Sequence, residues 1–304
     1  MAQVVNFGFL PEEYSRPDDA EIIVIPAPYD GTSTWIKGAD KGPAAIIQAS
    51  GNIELYDIET DSEVYRKGIF TNKAIEGKFF PEDMVDAVRQ EVQGYIKKGK
   101  FVVLIGGEHS VSIGSIQACV ENYSDITVLQ LDAHADLRDE YNGSKYNHAC
   151  VMARVKPLCP ILQIGIRSMD SSEKEFLDTT RAFFAGDIYN NTDWIEQAVA
   201  KLSGKVYITI DLDVYDPSIM PSTGTPEPGG LFWYEVLKLL KAVCDKKDVV
   251  GFDVVELCPD DKNKAPDFLA AKLIYKLLSY KFKDYDEKER LPKRACQAYQ
   301  HKII

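Results

Sequence analysis

Six side chains of metal-ligand type fall in three short clusters of this sequence. Two of the clusters place acidic or imidazole groups at every second position, and an extended backbone projects such positions to one face. Buried carboxylates are costly unless their charge is compensated, and a divalent cation supplies that compensation. The six candidate ligands are His109, Asp132, His134, Asp136, Asp211 and Asp213.

Two imidazoles and four carboxylates are enough for two ions when one or two carboxylates bridge them. The oxygen-rich set favours Mn²⁺ over the thiolate-rich sets of structural zinc, while Zn²⁺, Fe²⁺ and Ni²⁺ stay compatible with the ligand types. The alternative for any single cluster is a surface loop or a capped turn, which Asp216-Pro217 already signals. Because all three clusters follow apolar runs, we favour a metal site.

Short β-branched runs alternate with segments of helical period, which is typical of a parallel sheet with crossover helices. Ligand sites in such sheets form beyond the carboxyl ends of the strands, where the three clusters stand. We predict strands at residues 21–26, 101–105, 127–131, 161–165, 206–211 and 250–255. We predict helices at residues 43–50, 81–98, 112–121, 193–202, 232–244 and 266–280.

The chain has 304 residues, 45 % of them hydrophobic, which is enough for one large core. We predict a single domain over 1–304, with an N-terminal arm at 1–20 and a peripheral C-terminal tail at 282–304. The formal net charge of −12 argues against a nucleic-acid surface and suits a small cationic substrate.

No apolar run is long enough to span a bilayer, and no basic segment precedes an apolar stretch at the N-terminus. The six cysteines form no CxxC pair and stand mostly in apolar segments, as reduced core thiols do. We therefore expect a cytoplasmic protein that contacts neither membrane nor nucleic acid.

Five motifs, in order along the chain, resemble those of the ureohydrolase family of arginases and agmatinases. The resemblance spans about residues 26–256. It implies a three-layer α/β/α sandwich with a central parallel sheet, a centre of two Mn²⁺ ions, hydrolysis of a guanidinium group to urea, and a trimer or hexamer. The motifs are GGEHS (106–110), DAHAD (132–136), DLDVYDP (211–217), PSTGTPEPGG (221–230) and DVVEL (253–257).

The resemblance also implies how the six ligands are shared and which group attacks. A hydroxide bridging the two ions would be the nucleophile. One ion would be held by His109, Asp132, Asp136 and Asp211, and the other by Asp132, His134, Asp211 and Asp213.

Further roles follow from the matching positions. Asp136 would pass the hydroxide's proton toward the leaving nitrogen. His148 would relay protons to solvent, since an imidazole titrates near neutrality. Glu256 would hold the guanidinium by two parallel hydrogen bonds. Thr225, in a Gly/Pro-rich loop, would line the pocket. Two buried acids, Glu108 and Asp253, would orient ligands.

The substrate is less constrained. Residues 137–150 depart from the arginase pattern and look like those of agmatinases, so we expect agmatine, with guanidinobutyrate and arginine as alternatives. Asp139 or Glu140 would suit an ammonium end, whereas Arg138 would suit a carboxylate. Another alternative is a non-catalytic, metal-stabilised protein that binds polyamines or arginine. The metal-dependent deacetylases, which use Asp and His around one zinc ion, are a further alternative. The paired Asp211 and Asp213 fit a centre of two metals better than a centre of one.

Overall fold

Eight parallel strands form one central sheet in the computed structural model, which describes residues 6–283. From edge to edge the order is β2-β1-β3-β8-β7-β4-β5-β6. The strands are β1 (Ile22–Ala27), β2 (Ile69–Thr71), β3 (Phe101–Gly106), β4 (Ile126–Leu131), β5 (Ile161–Ile166), β6 (Ala182–Phe184), β7 (Lys205–Asp211) and β8 (Asp248–Val255).

Helices cover both faces of the sheet and pack on two separate hydrophobic clusters. One face carries α1, α5, α6, α7 and α8, and the other carries α2, α3 and α4. The expected three-layer α/β/α sandwich is confirmed. The helices are α1 (Gly42–Ser50), α2 (Pro81–Ile96), α3 (Val111–Asn122), α4 (Val151–Val155), α5 (Ala185–Tyr189), α6 (Trp194–Ala200), α7 (Trp233–Lys246) and α8 (Ala265–Lys281).

The predicted elements are all present, with ends displaced by one or two residues. The predicted helix at 81–98 ends at Ile96, because a turn follows it and Gly99 adopts a φ of 73°. Four short elements were missed, namely β2, β6, α4 and α5. Each has three to five residues, too few to show a period of two or of 3.6.

Both predicted peripheral segments are partly described. In the N-terminal one, Phe7 and Leu10 are buried in the core, and the Phe7 N–H donates to Thr71 Oγ1 at 2.8 Å. In the C-terminal one, the Phe282 ring packs edge-on against Phe101, and residues 284–304 lie outside the described range.

The five cysteines within residues 6–283 are free thiols. Over the same residues, none of the helices is both long and apolar enough to cross a membrane.

The strand order sets the position of the site. The chain forms β3 and then passes to β4, and the gap between them is filled later by β8 and β7. Such a switch of direction leaves a crevice at the carboxyl ends of the strands. The six candidate ligands and Glu256 stand at or just beyond the carboxyl ends of these four neighbouring central strands.

Candidate metal centre

The first group of predicted ligands converges on the imidazole of His109, just beyond β3. Its Nδ1 lies 3.2 Å from Asp132 Oδ2, 3.1 Å from Asp136 Oδ2 and 3.4 Å from Asp211 Oδ2. Two ligands of one ion with bonds of about 2.1 Å lie about 3.0–3.4 Å apart. The same Nδ1 is buried and has no hydrogen-bond partner. The donor set therefore fits a divalent cation.

A second group forms around His134. Its Nδ1 lies 2.9 Å from Asp213 Oδ2 and 3.6 Å from Asp132 Oδ1. Asp132 thus presents one oxygen to each imidazole, and single ligand atoms of His109, Asp132 and Asp211 and of Asp132, His134 and Asp213 gather within bonding reach of a common ion. Such a donor set would suit two ions that share one carboxylate.

Hydrogen bonds fix how the carboxylates face the ions. Asp211 Oδ1 accepts the Asp213 N–H at 2.9 Å, so its Oδ2 is left toward His109. Asp213 Oδ1 accepts the Ala133 N–H at 3.0 Å, so its Oδ2 is left toward His134. In both cases a backbone donor holds one oxygen and leaves the other as a ligand.

A chain of hydrogen bonds behind His109 sets its tautomer. Thr209 Oγ1 donates to Asp253 Oδ1 at 2.7 Å, so it accepts the Nε2–H of His109 at 2.9 Å. In the neutral imidazole, Nδ1 is then the unprotonated nitrogen and is available to a metal. The predicted orienting role of Asp253 acts through Thr209, which sequence reasoning missed. The sequence does contain a signal for Thr209: it is a polar residue in an apolar strand, two positions before Asp211 and therefore on the same face.

The expected strand geometry through residues 132–136 is wrong. β4 ends at Leu131, and Asp136 adopts a φ of 54°, which turns the chain so that its carboxylate reaches His109. Glu256, directly after β8, has a φ of 67°. Such conformations are costly for residues other than glycine and persist at functional sites.

Glu256 is buried and lines the cavity, as its predicted role requires. Its Oε1 accepts the His109 N–H at 2.7 Å, and its own N–H donates to Gly107 O at 2.8 Å. Any Cβ at Gly107 would lie 2.0 Å from Tyr29 O, so only glycine allows β3 and the loop after β1 to meet here. Glu108, also predicted to orient ligands, instead accepts from Ser110.

Burial and the crowding of negative charge shift the pKa of several ionisable groups of the centre. Burial and then the charge of Asp132 raise the pKa of Asp136 to about 7. Burial opposes the imidazolium form of His134, but Asp213 and Asp132 outweigh it and raise its pKa to about 12. Burial also opposes the charge of His109, whose pKa three carboxylates nevertheless hold well above its ordinary value. In the metal-free protein, bound protons take the place of the cations.

His148 lies at the wall of the cavity, at the start of a short 3₁₀ turn. Its titration was expected near neutrality. Burial, followed by the positive charge of His134, lowers the pKa of His148 to about 4 in the metal-free protein. The neutral imidazole, which can accept a proton, is therefore the form at neutral pH.

The centre opens into a cavity of about 280 Å³. Thr225 lies on its wall, as predicted. Asp139 and Glu140 do not line it: Asp139 is exposed and pairs with Arg154 and Lys145. The acidic residues that do line its outer part were not predicted. The outer wall consists of residues 33–36, Arg138, Tyr141, Met169, Asp170, Glu173, Gly224 and Thr225.

Comparison with known proteins points to one family. Residues 20–279 match the arginase family model. The N(1)-aminopropylagmatine ureohydrolase of Synechocystis sp. is 40 % identical over 277 residues, 86 % of this chain and 89 % of that protein. The agmatinase of Pyrococcus horikoshii is 33 % identical over 264 residues, 84 % and 90 % of the two chains. The crystal structure of agmatine ureohydrolase of Thermoplasma volcanium aligns with a TM-score of 0.82 and 32 % identity, covering 94 % and 96 %.

We predict that Thr209→Val weakens metal binding by about 10- to 100-fold, the usual cost of losing a partner behind a ligating histidine. The substitution removes the acceptor of His109 Nε2–H and frees the imidazole tautomer. Metal content after dialysis against graded chelator concentrations measures the effect.

Thr127→Val is the matched control, because Thr127 is also a buried strand threonine, bonded to Ser203 at the opposite end of the sheet. Equal metal retention by the two variants would contradict the role of Thr209.

We also predict that metal binding at about pH 7 releases protons, since His109 and His134 must lose theirs to become ligands. Both imidazoles have raised pKa values without metal, so affinity should rise with pH between about 6 and 8. Titration calorimetry in buffers of different ionisation enthalpy counts the protons. The His134→Asn variant should release about one proton fewer than the wild type when it binds metal. A binding heat that does not depend on the buffer would exclude this linkage between metal binding and proton release.

Proposed function

The chain belongs to the arginase family of ureohydrolases, and we propose that it hydrolyses agmatine to urea and putrescine with a pair of Mn²⁺ ions. The observation that carries the proposal is that Glu256, a carboxylate suited to a guanidinium group, lies beside two metal-binding groups on one cavity wall. The oxygen-rich donor set supports the choice of Mn²⁺.

The chain's own residues account for positioning and proton transfer. The ions, when bound, supply water with a pKa lowered toward neutrality. Glu256 accepts N–H bonds from the planar guanidinium and places its carbon above the centre. Water adds to that carbon, and Asp136 takes the proton released. The bond from carbon to the alkylated nitrogen then breaks, and the amine leaves with that proton while urea remains. His148 exchanges the remaining proton with solvent.

The outer cavity supports a substrate with a cationic far end. Arg138 lies 3.8 Å from both Asp170 Oδ2 and Glu173 Oε2, so two carboxylates face one guanidinium and leave one net negative charge. An ammonium group is attracted there and a carboxylate is repelled. Trp35 and Met169, both exposed on this wall, offer apolar surface to a methylene chain.

A second candidate is N(1)-aminopropylagmatine, which extends agmatine by a propylamine and one more ammonium. The observation that favours it is the 40 % identity to the Synechocystis enzyme of that name. The indole of Trp35 is 75 % exposed at the cavity mouth, where such an extension would pass and where a cation can lie over the ring.

Urea release by the Mn²⁺-loaded protein from agmatine, N(1)-aminopropylagmatine, guanidinobutyrate and arginine tests the proposal. We expect kcat/KM to be at least tenfold higher for agmatine than for guanidinobutyrate, because only agmatine ends in a cation. A still higher value for N(1)-aminopropylagmatine would establish the second candidate. Preference for guanidinobutyrate or arginine would overturn both, and binding without urea release would indicate the non-catalytic alternative.

Asp170→Asn should raise KM for agmatine several-fold with little change in kcat, since it removes a negative charge from the outer cavity and leaves the centre unchanged. Asparagine can still cap the turn that Asp170 begins. Asp139→Asn is the control, being an equally acidic residue outside the cavity. If Asp139→Asn alone raised KM, the far end of the substrate would lie elsewhere.

A further inference from the structure

Thr32, in the loop after β1, makes two contacts with His148. Its Oγ1 accepts the His148 backbone N–H at 2.9 Å and lies 3.1 Å from His148 Nδ1. The two residues are 116 positions apart in sequence, and Thr32 does not line the cavity. One hydroxyl therefore holds both the backbone and the ring of His148 from behind.

The Thr32 hydroxyl sets which ring nitrogen of His148 keeps its proton. A hydroxyl has one proton and two acceptor lone pairs. The hydroxyl proton has an acceptor in the buried Glu108 carboxylate, to which Thr32 is hydrogen-bonded. Its two lone pairs then accept the backbone N–H and the Nδ1–H of His148. Nδ1 stays protonated in both the neutral and the cationic imidazole, and Nε2 is left for proton exchange.

The loop that carries Thr32 is itself fixed. Asp30 Oδ2 accepts the N–H groups of Gly38 at 2.6 Å and Ala39 at 3.3 Å, which closes the loop on itself. The Ile36 N–H donates to Gly224 O at 3.4 Å and joins it to the loop beside Thr225. Thr32 is thus presented to His148 by a loop that is tied at both ends.

The other side of the imidazole is in contact with Tyr141. The two ring centroids are 6.3 Å apart and the planes meet at 82°, an edge-to-face arrangement. The Tyr141 ring is in turn covered by the Arg138 guanidinium, 4.3 Å from its centroid. The ring therefore contacts Thr32 and Tyr141, and among residues 6–283 the hydrogen bond to a ring nitrogen comes from Thr32.

We propose that Thr32 is a positioning residue for proton transfer by His148, holding Nδ1 so that Nε2 exchanges protons between the centre and solvent. The inference rests on the proposed function, in which His148 is the relay. It predicts that the hydroxyl, and not the bulk of the side chain, is required.

Thr32→Val keeps the shape of the side chain and removes the hydroxyl, whereas Thr32→Ser keeps the hydroxyl. We expect Thr32→Val to lower kcat for agmatine at least tenfold with KM changed less than twofold, and Thr32→Ser to keep most of the activity. His148→Asn should lower kcat by about 10²- to 10⁴-fold with metal retained.

Added to His148→Asn, Thr32→Val should cause no further loss, because residues that act as one unit are not additive. The inference would be overturned if Thr32→Val lowered kcat by the same factor in His148→Asn as in the wild type. Full activity of Thr32→Val would overturn it as well. Metal content and thermal midpoint of each variant separate these effects from misfolding.

A second measurement does not depend on turnover. The chain has four histidines, so ¹⁵N spectra of the Zn²⁺-loaded, diamagnetic protein can resolve the His148 tautomer. We expect one tautomer in the wild type and in Thr32→Ser, and a mixture in Thr32→Val. An identical tautomer in all three would contradict the inference even in active protein. Failure of wild type to release urea from any guanidino compound would instead refute the proposed function.

Discussion

The structure depends on keeping five carboxylates out of water at one edge of a sheet. The five are Asp132, Asp136, Asp211, Asp213 and Glu256, and none has more than 8 % of its surface exposed. Two imidazoles cannot balance them, and uncompensated buried charge is among the most unfavourable arrangements in a protein. Two divalent ions beside neutral imidazoles would offset most of this charge, and a guanidinium group would bring a further positive charge to the same cavity. The electrostatic requirement of the fold and the charge of the proposed substrate thus agree.

The parallel sheet meets this requirement through backbone groups. Strand ends leave N–H groups without ladder partners, and those of Ala133 and Asp213 hold ligand carboxylates in place. The Arg167 guanidinium, just after β5, donates to the carbonyls of Asp213 and Glu227, at 2.6 and 2.7 Å. Arg167 thus ties the loop that carries Asp213 to the loop that carries Thr225. These hydrogen bonds hold the candidate ligands in place without help from an ion, which would lower the entropic cost of binding one.

The central strands and the convergence of the six candidate ligands could be predicted because their signals are local. A buried parallel strand is an unbroken apolar run, and its carboxyl end marks where ligands lie. The missed residues interact across long separations: Thr32 contacts a residue 116 positions away, and Thr209 one 100 positions away. The charge of Asp139 and its nearness to Asp136 in sequence predict a place in the cavity. The chain turns at Asp136, and after the turn Arg138 and Tyr141 line the cavity whereas Asp139 does not. Asp170, which is distant in sequence, lines it instead.

In the proposed function, chemistry and selectivity occupy different parts of the molecule. The candidate ligands stand on buried strand ends, whereas the outer cavity is made by loops whose side chains reach solvent, such as Trp35. Loop residues of this kind can change without disturbing the sheet, so a change of substrate within the proposed class would not require a change of the centre. The loop after β1 is the exception, because it carries Trp35 at the mouth and Thr32 against His148. Under the two proposals, a change in that loop would alter both which substrate binds and how the proton leaves, and Asp30, which closes the loop, would couple the two properties.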